Sequence, residues 1–185
     1  EKARDYYCRA VDKGDLSALT NLGDLHERGL GVIKNDEKAL AYYRQAAGKG
    51  HIRALNNLGC MYLNGAGVSQ DYGKAIEYFS KAASTGYVSA LNNLAYMHYD
   101  GFGVLQDYGK AIEYLSQAAD KGDVVALNNL GCMYLHGLGV VKDKSKAADY
   151  YRRAADKGYV EAQYNLALMY FEGAGIFQSS EAADI

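Results

Sequence analysis

Cys132 and His136 stand four residues apart in "CMYLH". On a helix that spacing puts a thiol and an imidazole on one face, which is the start of a nucleophile and base pair. No third group is evident to orient the imidazole, and an earlier copy of the segment carries Asn64 where His136 stands. A metal site would demand more ligands than these two residues supply. A second chemistry is suggested by "NGAGVSQDYGKA", Asn64 to Ala75, with its glycine pair, its acid and Lys74. A phosphate loop follows a strand, opens a helix and reads Gly-x-x-x-x-Gly-Lys-Ser/Thr. Here the glycines follow a helical pattern, Lys74 precedes Ala75, and the same loop occurs five times. These glycines are expected to turn the chain. No catalytic residue, metal or cofactor is expected, and an enzyme is the weakest of the function classes.

The bulk composition narrows the classes further. The chain has 185 residues, 49% of them apolar, enough for one sizeable core or one row of repeats. A formal net charge of −2 lacks the basic excess of a nucleic-acid binder. No apolar run approaches the roughly 18–20 residues of a membrane span. Three cysteines, an odd number, argue against a disulfide framework.

The positioning elements emerge from the period. Lys13-Gly14, Lys49-Gly50, Thr85-Gly86, Lys121-Gly122 and Lys157-Gly158 step by 36 residues, and so do "GLGV" at 29, "GAGV" at 65, "GFGV" at 101, "GLGV" at 137 and "GAGI" at 173. Each unit reads as two helices. Helix A runs through Ala54 to Asn64, with Ala54, Leu55, Leu58, Met61 and Tyr62 on one face. Helix B runs through Tyr72 to Ser84, with Ala75, Ile76, Tyr78, Phe79, Ala82 and Ala83 as its stripe. Gly65 and Gly86 are placed as left-handed helix stops. Asn35, Asp71, Asp107, Asp143 and Ser179 precede helix B and have the oxygen an N-cap needs. The expectation is an all-α, right-handed superhelical solenoid of stacked antiparallel helix pairs. Residues 1–14 would be helix B of a preceding repeat. Residues 15–50, 51–86, 87–122 and 123–158 would be full repeats, and 159–185 a partial one, all in one continuous domain. On this reading the chain is a piece of a longer array.

The details resemble the Sel-1-like repeat family, a relative of the tetratricopeptide repeats. The likeness is carried by "ALNNLGCMYLNGAGV" at 54–68, "ALNNLGCMYLHGLGV" at 126–140 and "AQYNLALMYFEGAGI" at 162–176, with "KAIEYFSKAASTG" at 74–86 and "KAADYYRRAADKG" at 146–158. It extends over essentially the whole chain. Two departures are visible: the chain has no Pro, and Tyr42, Tyr78, Tyr114 and Tyr150 stand where the family often has Trp. The resemblance implies a non-catalytic adaptor that holds other proteins.

In stacked helix pairs of this type the A helices line the inner, concave side. The groove positions are Asn56, Asn92, Tyr96, Tyr99, Asn128, Leu135, His136, Tyr164, Leu168 and Phe171. Exposed apolar strips usually mark contact sites. The tyrosines are expected to bind, while the Leu and Phe members either bind or pack between repeats. Asn21, Asn57, Asn93, Asn129 and Asn165 recur beside the groove, either for a peptide backbone or for a bond that fixes the stacking; Asn92 and Asn128 are the better ligand contacts. Asp24, Glu27, Asp100, Glu161 and Glu172 outnumber Arg28 and Arg53 on this face. The partner is therefore expected to be a protein or peptide, neutral to mildly basic or aromatic. The alternative is a structural module that self-associates through its open ends.

Overall fold

In the computed structural model, residues 2–172 are described; Ser179 and the helix B it would open lie outside them. Ten helices and no strand are present among the described residues. They form an all-α repeat fold in two compact units, split between residues 105 and 106. The first unit contains α1 (Lys2–Asp12), α2 (Leu16–Arg28), α3 (Asp36–Ala47), α4 (Ile52–Asn64), α5 (Tyr72–Ala83) and α6 (Val88–Asp100). The second contains α7 (Tyr108–Asp120), α8 (Val124–His136), α9 (Lys144–Ala155) and α10 (Val160–Phe171). Within each unit every helix packs on the one before it. Helices α2, α4, α6, α8 and α10 are the A helices.

The apolar stripes meet where the period puts them. Ala54, Leu58, Met61 and Tyr62 of α4 are buried, as are Ala75, Phe79 and Ala82 of α5. One core cluster of the first unit joins Ala39, Leu40 and Tyr43 of α3 to Leu58 and Met61 of α4. Burying each such side chain contributes about 1.5–3 kcal/mol relative to exposure.

Caps fix where the helices start and stop. Asn35, Asp71, Asp107 and Asp143 each accept a bond from the backbone N–H three residues on, at 2.8–2.9 Å. Helix A begins earlier than expected, at Ile52 in the second repeat, and its cap residue His51 caps no backbone N–H with its side chain; its imidazole is instead hydrogen bonded to the Thr20 hydroxyl of α2 at 2.8 Å. Gly65 is the left-handed stop expected of it, with φ of 68° and its N–H on the Met61 carbonyl. Gly86 is not the residue just past helix B. α5 is capped by Ser84 in right-handed geometry, and Gly86 reverses the chain two residues later at φ 78°.

The second glycine of each Gly-x-Gly has a different task. A Cβ on Gly67 would lie 2.6 Å from the Asp36 carbonyl, and one on Gly139 would lie 2.6 Å from the Tyr108 Cβ. The loop thus rests directly on the start of the preceding B helix. Meanwhile the N3 amide of the B helix it leads into is taken by that helix's own Asn or Asp cap. The loop glycines turn the chain and admit close packing.

A third set of glycines lies inside the A helices. Gly23 and Gly59 in the first unit and Gly131 in the second sit under Tyr43, Phe79 and Tyr151. A Cβ there would come within 2.3–2.6 Å of a ring carbon, and all three rings are buried. Where the sequence places Ala95 at this position, the residue in register on the following B helix is Leu115.

Candidate functional site

The positions that the sequence assigns to a groove have different surroundings in the two units.

In the first unit α2 contributes a polar network. The buried Tyr43 reaches from α3 over Gly23 and places its hydroxyl 2.7 Å from Asp24 and 2.6 Å from Glu27, its one proton serving both carboxylates. Burial, followed by these two carboxylates, pushes the phenol pKa far above its usual range, so it stays a donor. Arg53 of α4 donates to Asp24 at 2.8 Å and to Asn21, and Asn57 donates to Asp24 at 3.1 Å. These acids are therefore tied down from both neighbouring helices.

On α4, Asn56 is 7% exposed and accepts a bond from Asn93 of α6 at 3.0 Å. In the second unit Asn128 is 8% exposed and accepts the same bond from Asn165 of α10, also at 3.0 Å. This corrects the expectation that Asn56 and Asn128 face a ligand: each is covered by the next A helix and joined to its signature asparagine. Asn92 is half-buried. Asn57, Asn93 and Asn165 each donate to the preceding A helix, with a side chain and not a backbone group as acceptor.

Tyr96 and Tyr99 of α6 remain 48% and 37% exposed, and Asp100 is exposed beside them. The Tyr96 ring leans on Phe102 at 5.4 Å, and Phe102 on Tyr72 at 5.3 Å, so the shelf is braced from below. Desolvation, then the Asp100 carboxylate to which it is hydrogen bonded, raises the Tyr96 phenol pKa. In the second unit Leu135 is half-buried and His136 exposed on α8. On α10, Tyr164, Leu168 and Phe171 are all exposed, at 64%, 39% and 90%.

The thiols have structural surroundings. Cys60 accepts from Asn93 at 3.7 Å, and burial, with Glu27 second, pushes its pKa up to about 11. Cys132 accepts a bond from the Tyr151 hydroxyl at 3.2 Å. That phenol, and not His136, is the partner the structure gives it. Among the described residues no three His, Cys, Asp or Glu side chains gather as metal ligands would. No described helix is long and apolar enough to cross a membrane.

Sequence reasoning missed the Tyr43 network. Its signal was Asp24 and Glu27, three residues apart on one face of α2, with an aromatic residue at position 43 of the following helix.

Comparison with known proteins agrees with this architecture. The Sel1 repeat profile matches residues 1–15, 16–51, 52–87, 88–123, 124–159 and 160–183. The chain is similar to c5321, a protective antigen of uropathogenic Escherichia coli displaying an SLR fold, at 37% identity and a TM-score of 0.86 over 94% of this chain and 37% of that one. It is similar to a Sel1 repeat protein from Oxalobacter formigenes at 36% identity and a TM-score of 0.83, over 88% of this chain and 66% of that one. The immunity protein Pa5087 of Pseudomonas aeruginosa is 26% identical with a TM-score of 0.61, over 86% of this chain and 59% of that one. The chain thus spans less than two thirds of each. No curated protein matches it.

Proposed function

The chain belongs to the Sel1 repeat family, whose members are generally protein–protein interaction modules, and from that membership we propose that it is a non-catalytic scaffold holding a protein or peptide segment on the inner face of its A helices. The observation that carries the reading is the exposed pair Tyr96 and Tyr99 on α6. Aromatic rings with a polar tip are favoured where one side must be dry and the other wet, and they dominate contact energies. On α10, Tyr164, Leu168 and Phe171 extend the same chemistry in the second unit.

The partner is neutral to mildly basic or aromatic. The exposed Asp100 beside the tyrosines disfavours an acidic segment, while Arg53 and Asp24 neutralise one another as an ion pair. A photo-crosslinking residue at position 99 tests this. It should give a discrete product with a partner-containing extract, while the same residue at exposed position 77 of α5 gives none. Equal yields from both positions would refute the proposal.

A further inference from the structure

We infer that the outer surface of α9 is a second docking site, distinct from the A-helix face, for an acidic segment of a protein partner. Two constructions of the same kind carry the inference. In the first unit the Tyr62 and Tyr78 rings stack at 5.6 Å, with Lys74 over the Tyr62 face at 5.3 Å and Lys81 over the Tyr78 face at 5.6 Å. In the second unit Tyr134 and Tyr150 stack at 5.5 Å, with Lys146 over Tyr134 at 5.3 Å and Arg153 over Tyr150 at 5.4 Å. Each is a pair of rings closed at both ends by a cation.

Their charge balance differs. In the first unit Lys74 is paired with Asp71 at 3.3 Å and Lys81 with Glu77. In the second, neither Lys146 nor Arg153 makes an ion pair among the described residues. Both are exposed, and they border a hollow of about 380 Å³ whose lining includes the two tyrosines. Arg152, also at its edge, is occupied by Asp149 at 2.7 Å and by the Tyr170 hydroxyl. Two cations held in place by rings lose little freedom on binding, and a guanidinium can hold a carboxylate through two bonds.

The hollow selects its source of negative charge. Asp149 and Asp156 also line it. They oppose a phosphate polymer or an anionic bilayer, both of which present negative charge everywhere. A peptide can set its carboxylates on Lys146 and Arg153 and turn a backbone N–H or a lysine toward Asp156, Asp149 being held by Arg152.

The test is a fluorescence-anisotropy titration of the chain with a dye-labelled octapeptide of alternating Glu and Leu, beside its Gln counterpart. The Glu peptide should bind at least about tenfold more tightly than the Gln peptide. Lys146→Glu and Arg153→Glu should each weaken it at least about tenfold. Lys74→Glu combined with Lys81→Glu should leave it within about twofold, because the site is not there. Circular dichroism verifies folding, and Lys146→Gln and Arg153→Gln replace any variant that loses helix. No difference between the peptides, or equal loss from the Lys74 and Lys81 changes, would overturn the inference. Stripping of the peptide from the chain by phosphatidylserine vesicles would overturn it too.

Discussion

The single side chains at and beside the expected groove positions divide into those bonded to neighbouring helices and those left exposed. Asp24 and Glu27 look, in sequence, like free acids on a groove. In the structure they share the Tyr43 hydroxyl, and Asp24 also holds Arg53 and Asn57. Cys60 and Cys132 stand at the equivalent place in their repeats and are each hydrogen bonded, to Asn93 and Tyr151. Burial disfavours the Cys60 thiolate, so its folded pKa of about 11 lies above the ordinary thiol value. The thiol form therefore stabilises the fold at low and neutral pH, and that contribution is lost as pH rises toward 11. Alkylation at pH 8 should modify the exposed Cys8 and leave Cys60 largely unreacted, with Cys60 labelling rising only as pH nears its pKa. Peptide mapping by mass spectrometry reads both sites. Rapid labelling of Cys60 at pH 8 in the folded chain would show that the thiol is not buried as described.

At the scale of the helix pair, shape complementarity sets the sequence. Gly59 exists because the buried Phe79 ring lies where its Cβ would be, 2.5 Å away. Gly59→Ala should therefore destabilise the chain by roughly 1–3 kcal/mol, as overpacking does. Phe79→Leu in the same chain matches the sequence of the third repeat, which has Ala95 and, twenty residues on, Leu115. The double variant should melt above Gly59→Ala alone, a favourable coupling expected for residues in contact. Thermal unfolding of the four chains measures it, and additive losses would mean that the glycine serves some other end. The helices, their order and most caps were legible in the sequence, because a 36-residue step repeats every apolar stripe and every Asn or Asp before helix B. The roles of Asn56 and Asn128 were not. They occupy the right helix face for a groove, and only the approach of α6 and α10 covers them. Tyr78 and Tyr150, legible as substitutions for Trp, acquire meaning only with their stacking on Tyr62 and Tyr134 and with Lys74, Lys81, Lys146 and Arg153 over the four rings.

For the molecule as a whole, the repeats devote helix faces to one another and leave aromatic side chains over. Within the first unit the asparagine bond from α6 to α4 and the Arg53 bonds from α4 to α2 join consecutive A helices; within the second, Asn165 joins α10 to α8. Such nearest-neighbour bonds are how a repeat array accumulates stability. Tyr96 and Tyr99 nevertheless stay exposed on α6. The most direct test of the scaffold reading is the affinity of a captured partner for the chain and for Tyr96→Ala and Tyr99→Ala, each verified as folded by circular dichroism. The account predicts that each change weakens binding by roughly 1–3 kcal/mol, the range of interface hot spots, with helix content preserved. Unchanged affinity in both variants would contradict it, and so would the unfolding of both, since the tyrosines would then belong to the core.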